Sequence, residues 1–198
     1  SVVVNIGGIS NITYMDEHNK ITSFDTGPGN YLIDEWVRSK TKQEFDNEGL
    51  IAKSGQTDEG ILKIFLSDAY FKKKIPKSLD VKDFNLQNLN KLSLEDGCAT
   101  LSMLTVRSIC MAINSFKIKP NSILFSGGGR KNKYIFDSIK KEFNCSVKLI
   151  DDFKINGDFV ESQAFAFLAI RSYLKKFITY PSTTGVTKPC LGGLIFKI

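Results

Sequence analysis

The stretch VVVNIGGISNITYMDEHNKITSFDTGPGN, residues 2–30, decides the fold of this chain. Gly7-Gly8 and a polar turn around Asn19 divide it into runs with the length and β-branched content of strands. The three predicted strands are Val2–Ile6, Ile9–Met15 and Ile21–Phe24. Because both connections are short, we expect the three strands to form an antiparallel meander.

The meander is followed by a loop and a helix. Residues 25–30, Asp-Thr-Gly-Pro-Gly-Asn, have the composition of a tight glycine-rich loop. Beyond it, apolar residues recur at helical spacing at Leu32, Ile33, Trp36 and Val37. The sequence therefore predicts a helix with Asn30 as its N-cap residue.

The remainder of the chain alternates between helical and strand patterns. Two short helices are predicted within residues 46–70, and a long helix from Ser93 to about Phe116. A strand, a glycine turn, a helix and another strand follow, at 122–125, 127–129, 132–143 and 147–150, and the last helix covers 162–175. Strand, helix and strand in this order imply a right-handed parallel crossover. We expect one α/β domain over residues 1–198, a mixed sheet of meander and parallel strands with helices on both faces.

Composition and charge exclude several classes of protein. The chain has 198 residues, 42% of them hydrophobic, which is enough for a sizeable core. The formal net charge of +6 comes from scattered lysines, without a basic stripe interleaved with aromatic residues, so nucleic acid is not an expected partner. No apolar run approaches the ~20 residues of a membrane span, and the first residues do not resemble a secretory signal. We therefore expect no membrane association and a cytoplasmic location.

The cysteine and histidine content restricts the chemistry. Cys98, Cys110, Cys145 and Cys190 form no C-x-x-C pair, and His18 is the only histidine. These residues cannot supply a zinc-finger ligand set, and no metal ligands are assigned. Since His18 lies in a polar turn, Ser-His and Cys-His nucleophilic mechanisms lack a base. Carboxylates and backbone amides remain as the groups that could carry chemistry.

Two segments of the first thirty residues have both a structural and a functional interpretation. Gly7-Gly8 is either a simple hairpin turn or a place where backbone N–H groups approach a phosphate, with Asn5, Ser10 and Asn11 adding polar contacts. Asp25 either stabilises its turn or acts as a general base toward a hydroxyl group or water. In the functional interpretation, Gly27 and the end of the following helix would receive an anion.

Two later segments leave the same alternatives open. Gly127, Gly128 and Gly129, with Asn132 behind them, either change the chain direction or admit a nucleotide; neither the P-loop nor the Rossmann spacing is present. Glu161, at the start of the last helix, either complements the helix dipole or supplies a second carboxylate for a substrate or metal.

Taken together, these motifs resemble the anhydro-N-acetylmuramic acid kinase family of the sugar kinase, actin and Hsp70 superfamily. The resemblance rests on residues 4–13 (VNIGGISNIT), residues 24–30 (FDTGPGN) with Asp34-x-Trp36, and Gly127-Gly128-Gly129-x-x-Asn132. Further matches are found at residues 54–55, 76–78, 96–101, 161–169, 184–185 and 191–192. The motifs occur in order along nearly the whole chain, and they imply a ribonuclease-H-like, actin-like ATPase domain.

The resemblance also implies an activity. Members of this family use ATP and Mg²⁺ to open the 1,6-anhydro ring of anhydro-N-acetylmuramic acid with water and to phosphorylate O6. By resemblance, Asp25 is the general base and Glu161 lies on the substrate side. The ATP phosphates would be bound by Gly7, Gly8 and Asn11, and the nucleotide by residues 127–129 with Asn132. Asn5 and Gly27 complete the set of expected cofactor-binding residues.

The resemblance covers only the C-terminal half of the family's sequence. The family's N-terminal lobe, with its Gly-Thr-Ser-x-Asp-Gly loop, has no counterpart here and becomes an expected partner, beside a possible homodimer. The chain also departs from the family after Pro76-Lys77-Ser78, where it reads Leu79-Asp80-Val81-Lys82 in place of Thr-Gly-Arg-Glu. Three interpretations follow: a kinase half, an inactive nucleotide-binding or interaction module left from a split or truncated kinase, and a structural remnant.

Overall fold

A computed structural model describes residues 1–196 of the chain. Five strands form one sheet, and seven α-helices accompany it in the described residues. The strands are β1 (Val2–Ile6), β2 (Ile9–Met15), β3 (Ile21–Pro28), β4 (Ser122–Ser126) and β5 (Ser146–Leu149). The helices are α1 (Tyr31–Lys40), α2 (Leu50–Ser54), α3 (Glu59–Leu66), α4 (Leu94–Asn114), α5 (Lys133–Glu142), α6 (Val160–Tyr173) and α7 (Pro181–Thr184).

The sheet has the strand order β3-β2-β1-β4-β5. β1, β2 and β3 are antiparallel neighbours, whereas β4 pairs with β1, and β5 with β4, in parallel. The predicted meander and the predicted parallel extension are both confirmed. This order and these directions are those of a ribonuclease-H-like sheet.

The third strand is longer than its sequence pattern predicts. The run was expected to end at Phe24, but β3 continues to Pro28 because its pairing with β2 extends to Ile9. Asp25, Thr26 and Gly27 therefore belong to the sheet, and the prediction that they form a loop is wrong. Glycine and proline are uncommon within strands, so the sequence of this segment does not have the pattern of a strand.

The core lies on one face of the sheet. Alternate side chains of the central strands are buried, among them Val2, Val4 and Ile6 of β1. The long helix α4 packs on this face, and α1, α2, α3 and α5 pack against α4. The Ser93 Oγ accepts the Asp96 N–H at 3.0 Å and caps α4 at the predicted start of this helix. α4 is also the only described helix long and apolar enough to cross a membrane, but 78% of its apolar window is buried inside the protein.

The helix α6, the last of the predicted helices, differs from the others. Its bounds agree with the prediction to within two residues, yet none of its 14 residues is buried. Several of its large apolar side chains are more than half exposed, including Phe165, Phe167 and Ile170. The sequence predicts helices on both faces of the sheet. Of these helices, α6 packs little against the rest of the chain.

Candidate functional site

A row of polar side chains crosses the middle of the sheet. Asn5 of β1 pairs with Asn11 of β2, and Asn11 pairs with Asp25 of β3. On the other side of β1, Asn5 pairs with Ser126 of β4, whose Oγ donates to the Asn5 Oδ1 at 3.2 Å. Since paired residues on neighbouring strands point to the same face, the register brings three predicted site residues into one line. The row lies on the face opposite the core, because Val4 and Ile6 beside Asn5 are buried.

A β-bulge turns Asp25 toward this row. Ser10 pairs with Gly27, but the next residue of β2, Asn11, pairs with Asp25, so Thr26 is the extra residue. Without the bulge, Asp25 would lie opposite the buried Ile12 and face the core. The Thr26 hydroxyl is buried, lies 2.6 Å from the Ser10 Oγ and donates to the Ser10 carbonyl at 3.1 Å. These hydrogen bonds fix the bulge and so determine the side on which the carboxylate is presented.

The segment around residue 77 holds Asp25 in place. The Asp25 N–H donates to the Lys77 carbonyl at 3.0 Å, and the Leu79 N–H donates to the Asp25 Oδ2 at 2.9 Å. The Tyr70 hydroxyl donates to the Asp25 carbonyl at 2.6 Å. Burial raises the pKa of Asp25, and the hydrogen bond from Leu79 lowers it by less. The result is a fixed carboxylate that is more basic than a solvated one. Leu79, where the chain departs from the family that it resembles, makes this contact through its backbone.

The Gly7-Gly8 turn is bound to the beginning of α1. The N–H groups of Gly29 and Tyr31 donate to the Gly8 carbonyl, and that of Asn30 donates to the Gly7 carbonyl, at 2.8–3.1 Å. These three amides are therefore used within the protein, and the expectation that this helix end receives an anion stays a prediction. Asn30 occupies the predicted N-cap position, but its side chain makes no capping hydrogen bond.

The second glycine turn packs against the end of β1. Gly127 has a φ of +77°, and a Cβ there would meet the Asn5 Oδ1 and the Ile6 carbonyl at 2.6 Å. A Cβ on Gly129 would meet the side chain of Ile6. Gly128, in contrast, has no other heavy atom within 4 Å of the Cβ position and is exposed. The turn is thus anchored at its two ends and open at its centre.

An ion-pair cluster joins this turn to the segment before α6. The Arg130 side chain is 4% exposed and donates to the Gly127 carbonyl at 3.0 Å. Its guanidinium also donates to the Asp151 carboxylate at 2.7 and 3.2 Å and lies 3.0 Å from the Asp158 Oδ1. A Cβ on Gly157 would collide with the guanidinium. The hydrogen bond from Arg130 is the main reason that the pKa of Asp151 falls to about 2.

Two cavities meet at Gly128. The smaller, of about 240 Å³, is lined by Asn5 and Gly7 on one side and by Asp158, Val160 and Glu161 on the other. The larger, of about 460 Å³, extends from Gly128 and Gly129 past Asn132. Its opposite wall is formed by Asn30, Ile33, Asp34 and residues 45–48. A ligand that crosses the exposed Gly128 would occupy both cavities.

The larger cavity contains a carboxyl group with a shifted pKa. Burial raises the pKa of Asp34 to about 6, opposed by Arg38 and assisted by the negative charge of Asp46. Asp46 is buried, and its carboxylate accepts the N–H groups of Ile51 and Ala52 at 2.8 and 2.9 Å. This wall can therefore accept hydrogen bonds from a polar ligand.

The structure brings most of the predicted site residues together. Asn5, Gly7, Gly127, Gly128 and Glu161 line one cavity, while Gly129 and Asn132 line the other. Asp25 lies in the row of Asn5, about 10 Å away across two strand spacings. Gly8 faces elsewhere, toward a cavity of about 10 Å³ beside Tyr31 and Leu79.

Two predicted cofactor-binding residues have clear packing roles. Gly27 is buried, and a Cβ there would meet the Ser108 side chain of α4 at 2.9 Å. Close approach of β3 to α4 explains this glycine, and it lines neither of the two cavities. The Asn132 Oδ1 accepts the Ile135 N–H at 3.1 Å and caps α5, so only part of this side chain remains for a ligand.

Carboxylates near the site do not form a metal cage. Within residues 1–196 no group of three or more His, Cys, Asp or Glu side chains is placed to hold a metal ion. Asp158 and Glu161 are the acidic residues of the smaller cavity.

Sequence reasoning missed the residues that position the site. These residues act through hydrogen bonds to parts of the chain that are distant in sequence, and no local pattern reveals such contacts; they are Thr26, Tyr70, Leu79 and Arg130. Only Arg130 gave a signal, as a cation directly after a glycine turn.

Comparisons with known proteins identify the family. The family model described as anhydro-N-acetylmuramic acid kinase matches residues 1–198. The chain belongs to this family. The relative from Pelagibacter ubique is 46% identical and that from Zymomonas mobilis 40%, over 98% and 99% of this chain. Both are named anhydro-N-acetylmuramic acid kinase.

The chain spans about half the length of the curated kinases that it matches, 54% of each of these two. Among solved structures, the activator of the 2-hydroxyisocaproyl-CoA dehydratase from Clostridium difficile with bound ADPNP gives a TM-score of 0.48 at 14% identity. That match covers 76% of this chain and 53% of the activator chain.

Proposed function

We propose that this chain is the C-terminal half of a cytoplasmic kinase that uses ATP to convert 1,6-anhydro-N-acetylmuramic acid to N-acetylmuramic acid 6-phosphate. Family membership supports the reaction. The observation that carries the proposal is the polar row, in which a β-bulge presents Asp25 in line with Asn11 and Asn5. The half of the kinase that the relatives carry in addition would complete the site.

Asp25 acts as the general base in the proposed mechanism. Its carboxylate takes a proton from water, and the water oxygen forms a bond to the anomeric carbon while the bond from that carbon to O6 breaks. The freed O6 attacks the γ-phosphorus of ATP, and ADP leaves. The raised pKa of Asp25 strengthens it as a base, and its contacts with Lys77 and Leu79 hold it still.

The two cavities accommodate the other groups of the reaction. Phosphates occupy the smaller cavity, against Gly7 and the Gly127–Gly128 turn, with Asn5 and Asn11 along the row toward Asp25. The nucleoside crosses Gly128 into the larger cavity, where Asp34 and Asn132 accept or donate hydrogen bonds. Glu161 lies on the sugar side of the smaller cavity. Asp158 and Glu161 are the acidic residues that would hold Mg²⁺ beside the phosphates, where the ion would supply positive charge for the transfer.

The test is steady-state turnover in a chimera, in which this chain replaces the matching part of the Pelagibacter ubique relative. We expect Asp25→Asn to lower kcat by about 10²–10⁴-fold with ATP affinity preserved, because the amide keeps the shape but cannot take the proton. Asp137→Asn, an exposed aspartate on α5, is the matched control and should retain full turnover.

Two results would contradict this mechanism. If Asp25→Asn retains more than about a tenth of the wild-type kcat, Asp25 is not the general base and has a structural role. A wild-type chimera that binds ATP without turnover would favour the alternative, an inactive nucleotide-binding module.

A further inference from the structure

A third cavity lies between strand β3, helix α4 and residues 71–77, and its volume is about 250 Å³. None of its lining residues lines either of the two cavities that meet at Gly128. Its walls are mainly apolar, with Phe24, Phe71 and Met111 among them, and they also carry Lys73 and Lys77. We refer to this space as the basic cavity.

The basic cavity has positive charge without a negative partner. The ammonium groups of Lys77 and Lys73 lie 4.3 and 5.4 Å from the centroid of the Tyr70 ring, so they are close to each other. Burial and the neighbouring charge of Lys73 lower the pKa of Lys77. None of the ion pairs within residues 1–196 includes either lysine, and none of the lining residues is acidic. An anionic ligand would relieve this unbalanced charge.

The hydrogen-bond donors of the basic cavity restrict the anion. The two lining serines, Ser108 and Ser115, donate their hydroxyl groups to carbonyls of α4. The Lys77 Nζ donates to the Tyr70 carbonyl at 3.0 Å, and its three N–H groups leave donors for a ligand. The two ammonium groups therefore supply the side-chain donors. A carboxylate, with two oxygens and one charge, suits them better than a phosphate ester, which brings three oxygens and more charge into a mainly apolar space.

The volume of the basic cavity sets the size of the ligand. An apolar cavity of about 150 Å³ can hold a benzene ring. The basic cavity, at about 250 Å³, has room for such a ring together with an acid group. We propose that the basic cavity binds a small carboxylate that carries an apolar group about as large as a benzene ring. The acid group pairs with Lys73 and Lys77, and the apolar group packs against the aromatic wall.

The segment that lines the basic cavity also holds Asp25. The Lys77 side chain lines the cavity, while the Lys77 carbonyl accepts the Asp25 N–H. The Tyr70 hydroxyl, from the ring beside both lysines, donates to the Asp25 carbonyl. A ligand that joins the Lys77 side chain to the α4 wall would restrict the motion of this segment, and the Asp25 backbone would be held more firmly. The inference does not depend on the proposed function, because binding is measured without turnover.

The experiment titrates this chain, labelled with ¹⁵N, with benzoate and follows the amide signals by NMR. We expect benzoate to bind with a Kd of about 1 mM. Acetate lacks the ring and benzyl alcohol lacks the charge, so each should bind at least about tenfold more weakly than benzoate. Bound benzoate should also slow hydrogen exchange in residues 23–27 and 70–79, and exchange in residues 127–135 should not change.

Lysine variants locate the site. Lys77→Gln should weaken benzoate binding by at least about tenfold, because it removes a charged donor that is partly buried. Lys73→Gln should weaken it by about threefold, since this lysine is more exposed. Lys74→Gln is the matched control: Lys74 is exposed, lies outside the cavity lining, and its loss changes the net charge equally. It should leave the Kd of benzoate unchanged.

Several outcomes would overturn the inference. A benzoate Kd above about 10 mM would show that the cavity is not a binding site for such carboxylates. Equal affinities for benzoate and benzyl alcohol would show that the lysines do not select an anion. Equal effects of Lys73→Gln and Lys74→Gln, or unchanged exchange in residues 70–79, would place the bound benzoate elsewhere. Tighter binding of phenyl phosphate than of benzoate would assign the cavity to phosphate esters instead.

Discussion

Adjacent glycines in the 127–129 turn differ in the space around their Cβ positions. A Cβ on Gly128 meets open space, so Gly128→Val should change the free energy of unfolding by no more than about 0.5 kcal/mol. A Cβ on Gly129 collides with Ile6, so Gly129→Ala should cost about 1–3 kcal/mol. If a nucleotide crosses Gly128, the valine should nevertheless weaken ATP binding by the chimera. Denaturant unfolding measures the effect on stability, and calorimetric titration measures the effect on ATP binding. An unchanged ATP affinity in Gly128→Val would show that the nucleotide does not cross Gly128.

Asp151 gives the protein a specific sensitivity to acid. Its pKa in the folded chain is about 2, below the ordinary value of an aspartate, chiefly because of the hydrogen bond from Arg130. The stabilisation is therefore complete above the unfolded pKa near 4 and is lost as the pH falls toward 2. We expect Asp151→Asn to flatten the decrease of Tm between pH 4 and pH 2, whereas Asp137→Asn should leave it unchanged. Identical profiles for Asp151→Asn and the wild type would show that the pair is too well solvated to matter.

At the scale of elements, the bulge in β3 is the feature on which the site depends. Thr26→Val keeps the shape of the side chain but removes the buried hydroxyl that bonds to Ser10, at an expected cost of about 1–3 kcal/mol. Since the bulge orients Asp25, we also expect lower kcat in the chimera. Thr22→Val, on the same strand before the bulge, serves as the control. Full turnover by Thr26→Val would mean that the register alone fixes Asp25.

Most elements of the fold could be predicted from the sequence, and the failures have identifiable causes. Strands β1 and β2 agree with their predicted bounds because alternation and β-branched residues determine them locally. The predicted third strand ends too early, at Phe24, because glycine and proline are poor strand formers. In the structure, pairing with β2 overrides that tendency. The residues of the row were identified from motifs, but their alignment depends on a register that no local pattern encodes.

At the scale of the whole molecule, the proposed nucleotide contacts come from one side only. We therefore expect the isolated chain to bind ATP with a Kd near the millimolar range, about −4 kcal/mol. Isothermal titration calorimetry of the chain alone measures this, with the chimera as the reference for the complete site. A micromolar Kd for the isolated chain would show that the present half contains the entire nucleotide site.

The pairing of β1 with β4 has a consequence for biosynthesis. Asn5 and Ser126, which meet across these strands, are separated by 121 positions. At synthesis rates of about 5–20 residues per second, β1 waits roughly 6–24 s on the ribosome before its parallel neighbour is made. During that interval one edge of the nascent meander has unpaired backbone groups, and an open edge of this kind can recruit strands from other chains. The order of the strands in the gene thus makes this protein a candidate for protection by chaperones during translation.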